Sequence, residues 1–155
     1  MKIAILFVIA FVGLILVIGA LLPKKHVASK SIVVRRDPRS VYDLVRDFEH
    51  APQWRTDVKR VEILSPSQFR ENGEVTYEVV EDEPGHELVT RIVNKDLGYS
   101  GSWTYAFDPV PDGTRVTITE NGEVSNIIFR FMSRFVFGHT ATIEKTLAAL
   151  QRRLA

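Results

Sequence analysis

Glu120 is the residue whose type and spacing most suggest chemistry. It follows Val116 and Ile118 at alternate positions of a strand-like run, so the acid points the way two aliphatic side chains point. A carboxyl in apolar surroundings has a raised pKa and serves as a general acid or base. The alternatives are an ion pair with Arg91 or Arg130, or a place at an exposed strand end. Arg91 has Val89 and Val93 as same-face neighbours and is either an anchor for a ligand carboxylate or phosphate or a solvated arginine. Tyr77 and Tyr105 carry hydroxyls suited to donating into a cavity. Trp54 follows the helix-breaking Pro52 and is either a gate at a pocket mouth or a core residue under the first helix.

Other chemistries lack the residues they need. There is no cysteine, which removes thiol catalysis, disulfides and thiolate metal sites. His26, His50, His86 and His139 are scattered without metal-ligand spacing, so no metal is expected. No nucleophile elbow, phosphate loop or dinucleotide fingerprint occurs, and no cofactor is expected. A formal net charge of +1 gives no reason to expect a nucleic-acid partner.

These candidates need elements to hold them. Ser31–Arg36 is β-branched and predicts a strand; Asp37-Pro38 then opens a helix carrying Val41, Leu44, Val45 and Phe48 at helical spacing. That helix ends before Pro52, and 52–55 forms a turn or short helix. From Asp57 the period changes to two. Strands are predicted over 58–64, 74–82, 87–94, 102–108 and 115–120, with turns at Pro84-Gly85 and Asp112-Gly113. The chain closes with Ile127, Ile128, Phe131, Met132, Phe135 and Val136 at three-and-four spacing. After an interruption at Gly138, Ile143, Leu147, Leu150 and Leu154 continue it. The pattern predicts an α+β domain: an antiparallel sheet with one dry face, covered by a long C-terminal helix. Trp103, Tyr105 and Phe107 line one face of their strand, and Phe129, Phe131, Phe135 and Phe137 enrich the helical segment. This aromatic excess predicts an apolar cavity between sheet and helix.

Ile3–Leu22 contains only Ile, Leu, Val, Phe, Ala and Gly, and a helix of about twenty residues spans roughly 30 Å of hydrocarbon. Residues 1–23 therefore read as a transmembrane anchor, 24–29 as a juxtamembrane connector and 30–155 as the folded domain. A secretory signal peptide is the competing reading, opposed by the length of the run and the lack of a small-x-small site. Lys24, Lys25, Lys30, Arg35, Arg36 and Arg39 follow the run and place the domain on the cytoplasmic side, although Lys2 opposes that orientation.

Beyond the order of elements, several short runs carry a resemblance: Pro52-Gln53-Trp54, Gly101-Ser102-Trp103-Thr104-Tyr105, Thr117-Ile118-Thr119-Glu120, and Phe129-Arg130-Phe131 with Arg134-Phe135-Val136-Phe137-Gly138. With them the chain, over about Lys30 to Leu154, resembles the polyketide cyclase/dehydrase-like branch of the START-like (SRPBCC) superfamily. The resemblance implies a helix-grip fold, a sheet wrapped around a long C-terminal helix with a deep hydrophobic cavity. It carries no catalytic motif onto this chain. Two functions are consistent with it. One is a membrane-tethered module holding a lipid or other hydrophobic small molecule with Trp54, Tyr77, Arg91, Trp103, Tyr105, Phe107, Glu120, Phe131 and Phe135. The other is a cofactor-free cyclase/dehydrase-like enzyme, with Glu120 and Tyr105 as candidate catalytic residues.

Overall fold

The computed structural model describes residues 2–155. Helix α1 (Lys2–Leu21) is followed by β1 (Lys25–Val34), α2 (Pro38–Arg46) and a 3-10 turn (Phe48–Gln53). Six further strands come next: β2 (Val61–Ser65), β3 (Gln68–Glu71), β4 (Val75–Glu83), β5 (Glu87–Ile92), β6 (Tyr99–Val110) and β7 (Gly113–Val124). Helix α3 (Ile127–Met132) continues into a π turn (Ser133–Phe137), and α4 (Ala141–Leu154) ends the chain. All seven strands form one antiparallel sheet in the order β1-β7-β6-β5-β4-β3-β2.

Local chemistry explains most of these boundaries. The Asp37 carboxylate accepts from the Ser40 backbone N–H at 3.0 Å and its hydroxyl at 2.6 Å, and Pro38 occupies the first helical position. The same hydrogen bonds hold the Asp37 carboxyl below its usual pKa. Asp37→Ala removes the cap and should lower the urea midpoint of the full chain. Helix α2 buries Val41, Tyr42 and Val45. They meet Leu88, Phe107, Val116 and Ile118 from the sheet and Ile143, Leu147 and Leu150 from α4 in one core.

Three expectations are corrected. Residues 25–29 are not a free connector: β1 begins at Lys25 and pairs without interruption from Lys25 opposite Glu123 to Val34 opposite Thr114. The reason is β7, which runs to Val124 rather than ending at Glu120, so its far half requires a partner edge. The second concerns β2 and β3. The buried Val58 precedes the first of these strands rather than opening it. Asn72, at φ 55°, accepts from the Lys59 N–H and donates to the Asp57 carbonyl, bracing the open end of the short β2–β3 hairpin that periodicity did not reveal. Third, the C-terminal segment is two helices, not one. Gly138 at φ 75° redirects the chain, so α4 alone lies across the sheet while α3 turns back to pack on α1.

Helix α1 is long and apolar enough to cross a membrane, and nearly all its side chains are exposed. Its one buried residue, Gly19, lies against Ile127, where a Cβ would come 2.5 Å from the Ile127 carbonyl oxygen.

Candidate functional site

The space between α4 and the sheet has two adjoining parts that share part of their walls. The inner one is a void of about 50 Å³ bounded by Phe48, Trp54, Arg55, Phe69, Glu71, Tyr77, Thr90, Trp103, Tyr105, Thr142 and Thr146, among others. The outer one is a chamber of about 690 Å³. Its apolar wall is Trp103, Val124, Phe129, Met132, Val136 and Phe137, and its polar wall includes His26, Tyr77, Tyr99, Glu120, His139 and Lys145. Tyr77, Trp103 and Thr142 line both and mark the neck where the two adjoin.

The inner void is built around a buried cation. The N–H groups of Trp54 and Arg55 both donate to the Ala51 carbonyl, at 3.1 and 2.8 Å, so the 3-10 turn delivers the two side chains together beneath the sheet. Arg55 donates through Nη1 to Glu71 at 2.7 Å and through Nη2 to Asp57 at 2.6 Å. Burial opposes the guanidinium charge, but the two carboxylates outweigh it and hold Arg55 ionised. Glu71 keeps a pKa above the carboxylate norm, because burial and the nearby Asp57 charge exceed what Arg55 returns. Burial likewise raises the Tyr77 hydroxyl and pushes that of Tyr105 up to about 12, so both stay protonated donors. Trp54 Nε1 is buried without a hydrogen-bond partner, a donor that an acceptor entering the void would satisfy.

A second polar cluster sits in the outer chamber. Glu120 accepts from Trp103 Nε1 at 3.1 Å and lies 3.2 Å from His26 Nε2. His26 stacks on His139 with ring centroids 4.2 Å apart, and His139 Nδ1 lies 3.1 Å from Ser133 Oγ. His26 fits because it faces Gly122 across the β1–β7 ladder; any Cβ there would collide with the imidazole. Burial first, then His26 and Arg134, hold His139 below the usual histidine pKa, while Glu120 opposes them. Glu120→Gln removes that opposition, so the His139 midpoint should fall further, as read by imidazole resonances in an NMR titration. The stacked rings do not converge on a point, and the described residues contain no group of three or more ligands able to hold a metal ion.

Of the residues singled out in sequence, Trp54, Tyr77, Trp103, Tyr105 and Glu120 line this space. Four do not. Arg91 lies on the opposite, outer face of β5, where alternation buries Leu88, Thr90 and Ile92, and it donates to Glu78 at 2.6 Å. Phe107 is solid core, sealed by Tyr42 of α2 at a ring distance of 5.9 Å, because α2 closes that end of the sheet. Phe131 and Phe135 pack on each other with tilted rings, centroids 5.0 Å apart. The π turn rotates the helical face, so Phe129, Met132, Val136 and Phe137 meet the chamber instead. Arg55 and Glu71 were missed because a turn and an unread four-residue strand carry them. His26 and His139 were missed because only the fold brings 113 positions of chain separation to one stack, and no local pattern marks them.

A twisted antiparallel sheet gripping a C-terminal helix over an apolar chamber defines a helix-grip protein of START-like architecture. Residues 25–155 match the family described as polyketide cyclase/dehydrase and lipid transport, and the chain belongs to that family. Solved structures share the fold at low identity. A START superfamily protein from Mycobacterium smegmatis is 22% identical, covering 83% of this chain and 97% of its own, with a TM-score of 0.67. The di-domain aromatase/cyclase StfQ of the steffimycin biosynthetic pathway is 14% identical, covering 84% of this chain and 51% of its own, with a TM-score of 0.67. Norcoclaurine synthase from Thalictrum flavum is 11% identical, covering 83% of this chain and 86% of its own, with a TM-score of 0.64. No curated protein sequence matches this one.

Proposed function

We propose that this protein is a membrane-anchored binding domain for a lipid or another hydrophobic small molecule, held between the sheet and α4. The observation that carries the reading is the chamber of about 690 Å³, walled by Trp103, Phe129, Met132, Val136 and Phe137 and narrowing at Tyr77 to a polar void. That gradient suits an amphipathic guest. Its apolar body occupies the chamber, and an acceptor at its tip reaches the free Trp54 N–H and the Tyr105 hydroxyl. Helix α1, read as an anchor, keeps the chamber where such molecules are concentrated. Native mass spectrometry of the full chain released from nanodiscs tests this. A retained hydrophobic adduct of constant mass is expected; a protein that stays empty and takes up no fluorescent fatty acid or lipid overturns it.

A second reading has its own observation, the Glu120 carboxylate set beside His26 within the chamber. In a cyclase/dehydrase-like enzyme, Glu120 would move one proton of a substrate oriented by the aromatic walls, with Tyr105 as a donor. Turnover unchanged in both Glu120→Gln and Tyr105→Phe would remove these residues from any such mechanism.

A further inference from the structure

Helix α1 has 20 residues, a length of about 30 Å, which matches the hydrocarbon thickness of a bilayer. If it spans, Gly19 and Leu21 lie at the membrane boundary. Only Leu22, Pro23 and Lys24 separate the helix from β1, a reach of at most about 10 Å. The leash is shorter still in practice, because the Lys24 carbonyl accepts from the Val124 N–H at 2.8 Å. Arg130 of α3, itself buried, fastens the junction. Its guanidinium donates to the carbonyls of Leu22 at 3.2 Å, Ala20 at 3.5 Å and Ser125 at 3.0 Å, a cation on the negative end of α1. Ile127 touches Gly19 directly. Segment 127–137 is therefore held at the depth where α1 leaves the membrane.

The side chains of that segment suit that depth and not water. Ile127, Ile128, Phe129, Phe135, Val136 and Phe137 are all exposed, Phe137 by 66%. Six exposed large apolar side chains gathered in one short segment mark an interaction site. Beside it lies a groove of about 120 Å³ whose lining includes Lys24, Lys25, His26, Arg134 and His139 and no carboxylate. Among the described residues, Lys24, Lys25 and Arg134 have no acidic partner within ion-pair distance. Of the two acids near its edge, Glu120 is engaged by His26 and Trp103, and Glu123 stands opposite Lys25 in the β1–β7 ladder without an ion-pair contact to it.

We propose that this junction is a bilayer-docking surface: segment 127–137 immerses its apolar side chains in the leaflet where α1 ends, and the adjoining basic groove holds the headgroup of an anionic phospholipid. Phe129, Val136 and Phe137 also wall the chamber, so docking turns the chamber mouth toward the acyl chains and lets a hydrophobic guest enter without crossing water. The proposal rests on reading α1 as a membrane anchor.

The absence of cysteine allows single labels to be placed in the full chain. Cysteines replacing Ile128 and Phe135 report the docking segment without lining the chamber; Leu14→Cys reports the anchor, and Ile63→Cys, on the far edge strand β2, reports water. With an NBD label and doxyl-lipid quenchers in phosphatidylcholine vesicles containing phosphatidylglycerol, strong quenching is expected at 14, 128 and 135 and little at 63. Quenching at 14 without quenching at 128 and 135 overturns docking and leaves the anchor standing. Quenching absent at 14 overturns the anchor reading and the proposal with it. Phosphatidylglycerol should deepen the label at 135, and the triple variant Lys24→Gln, Lys25→Gln, Arg134→Gln should abolish that increment. An increment that is absent, or that survives in the triple variant, overturns the headgroup site.

Discussion

Arg55→Ala should destabilise the domain by about 3–5 kcal/mol, the range for breaking a buried ion pair from one side. The large value comes from what remains. Glu71, buried in the β3–β4 hairpin, would lose its 2.7 Å contact and stand as an uncompensated charge beside Asp57. Urea unfolding of the full chain in nanodiscs, followed by the fluorescence of Trp54 and Trp103, measures the effect. The pH dependence provides an internal check. Glu71 already has a raised folded-state pKa, and losing Arg55 raises it further. An acid raised on folding adds stability that is fully present below its unfolded pKa and lost as pH rises through its folded pKa. The deficit of Arg55→Ala should therefore be greatest at neutral pH and shrink as the pH falls through the new Glu71 midpoint. A deficit independent of pH would mean that Arg55 acts mainly through the packing of its aliphatic stem.

The second large effect concerns occupancy of the chamber. Thr142 lies at the neck, on the first turn of α4, where it borders both the inner void and the outer chamber. It is solvent-accessible rather than locked in the core, so a larger side chain there enters empty space without displacing packed neighbours. Thr142→Trp should weaken binding of a hydrophobic guest at least about tenfold, equivalent to about 1.4 kcal/mol, while the unfolding midpoint changes little. Fluorescent fatty-acid titration of both proteins reads the affinity. Unchanged affinity would show that the guest does not occupy the neck. Thr142→Ala serves as the companion: it opens the neck and should leave affinity the same or higher.

The sequence discloses the site unevenly. Glu120 was legible because Val116, Ile118 and Glu120 alternate, and a strand's period of two converts spacing directly into facing. Trp103 and Tyr105 were legible for the same reason. Arg91 obeyed the same alternation, yet nothing local says which face of β5 is inward; Leu88, Thr90 and Ile92 took the core and turned Arg91 outward. Phe107 continued the aromatic row correctly but fell beyond the cavity, because the position of α2 decides where the hollow ends. Arg55 and Glu71 had no periodic signal at all, one in a turn and the other on a strand of four residues.

The sequence alone determined the apolar α1, the Asp37-Pro38 start of α2, the antiparallel run of strands, the helical character of the C-terminal segment and the START-like resemblance. Each of these is written in short-range pattern: run length, capping residues and period. Tertiary structure decided which face of each strand is wet, where the cavity closes, and that His26 meets His139 and Glu120. It also decided that Arg130 ties α3 to the end of α1. Those outcomes depend on contacts between segments distant in sequence, whose register and packing are set by the whole fold and leave no mark on the local pattern.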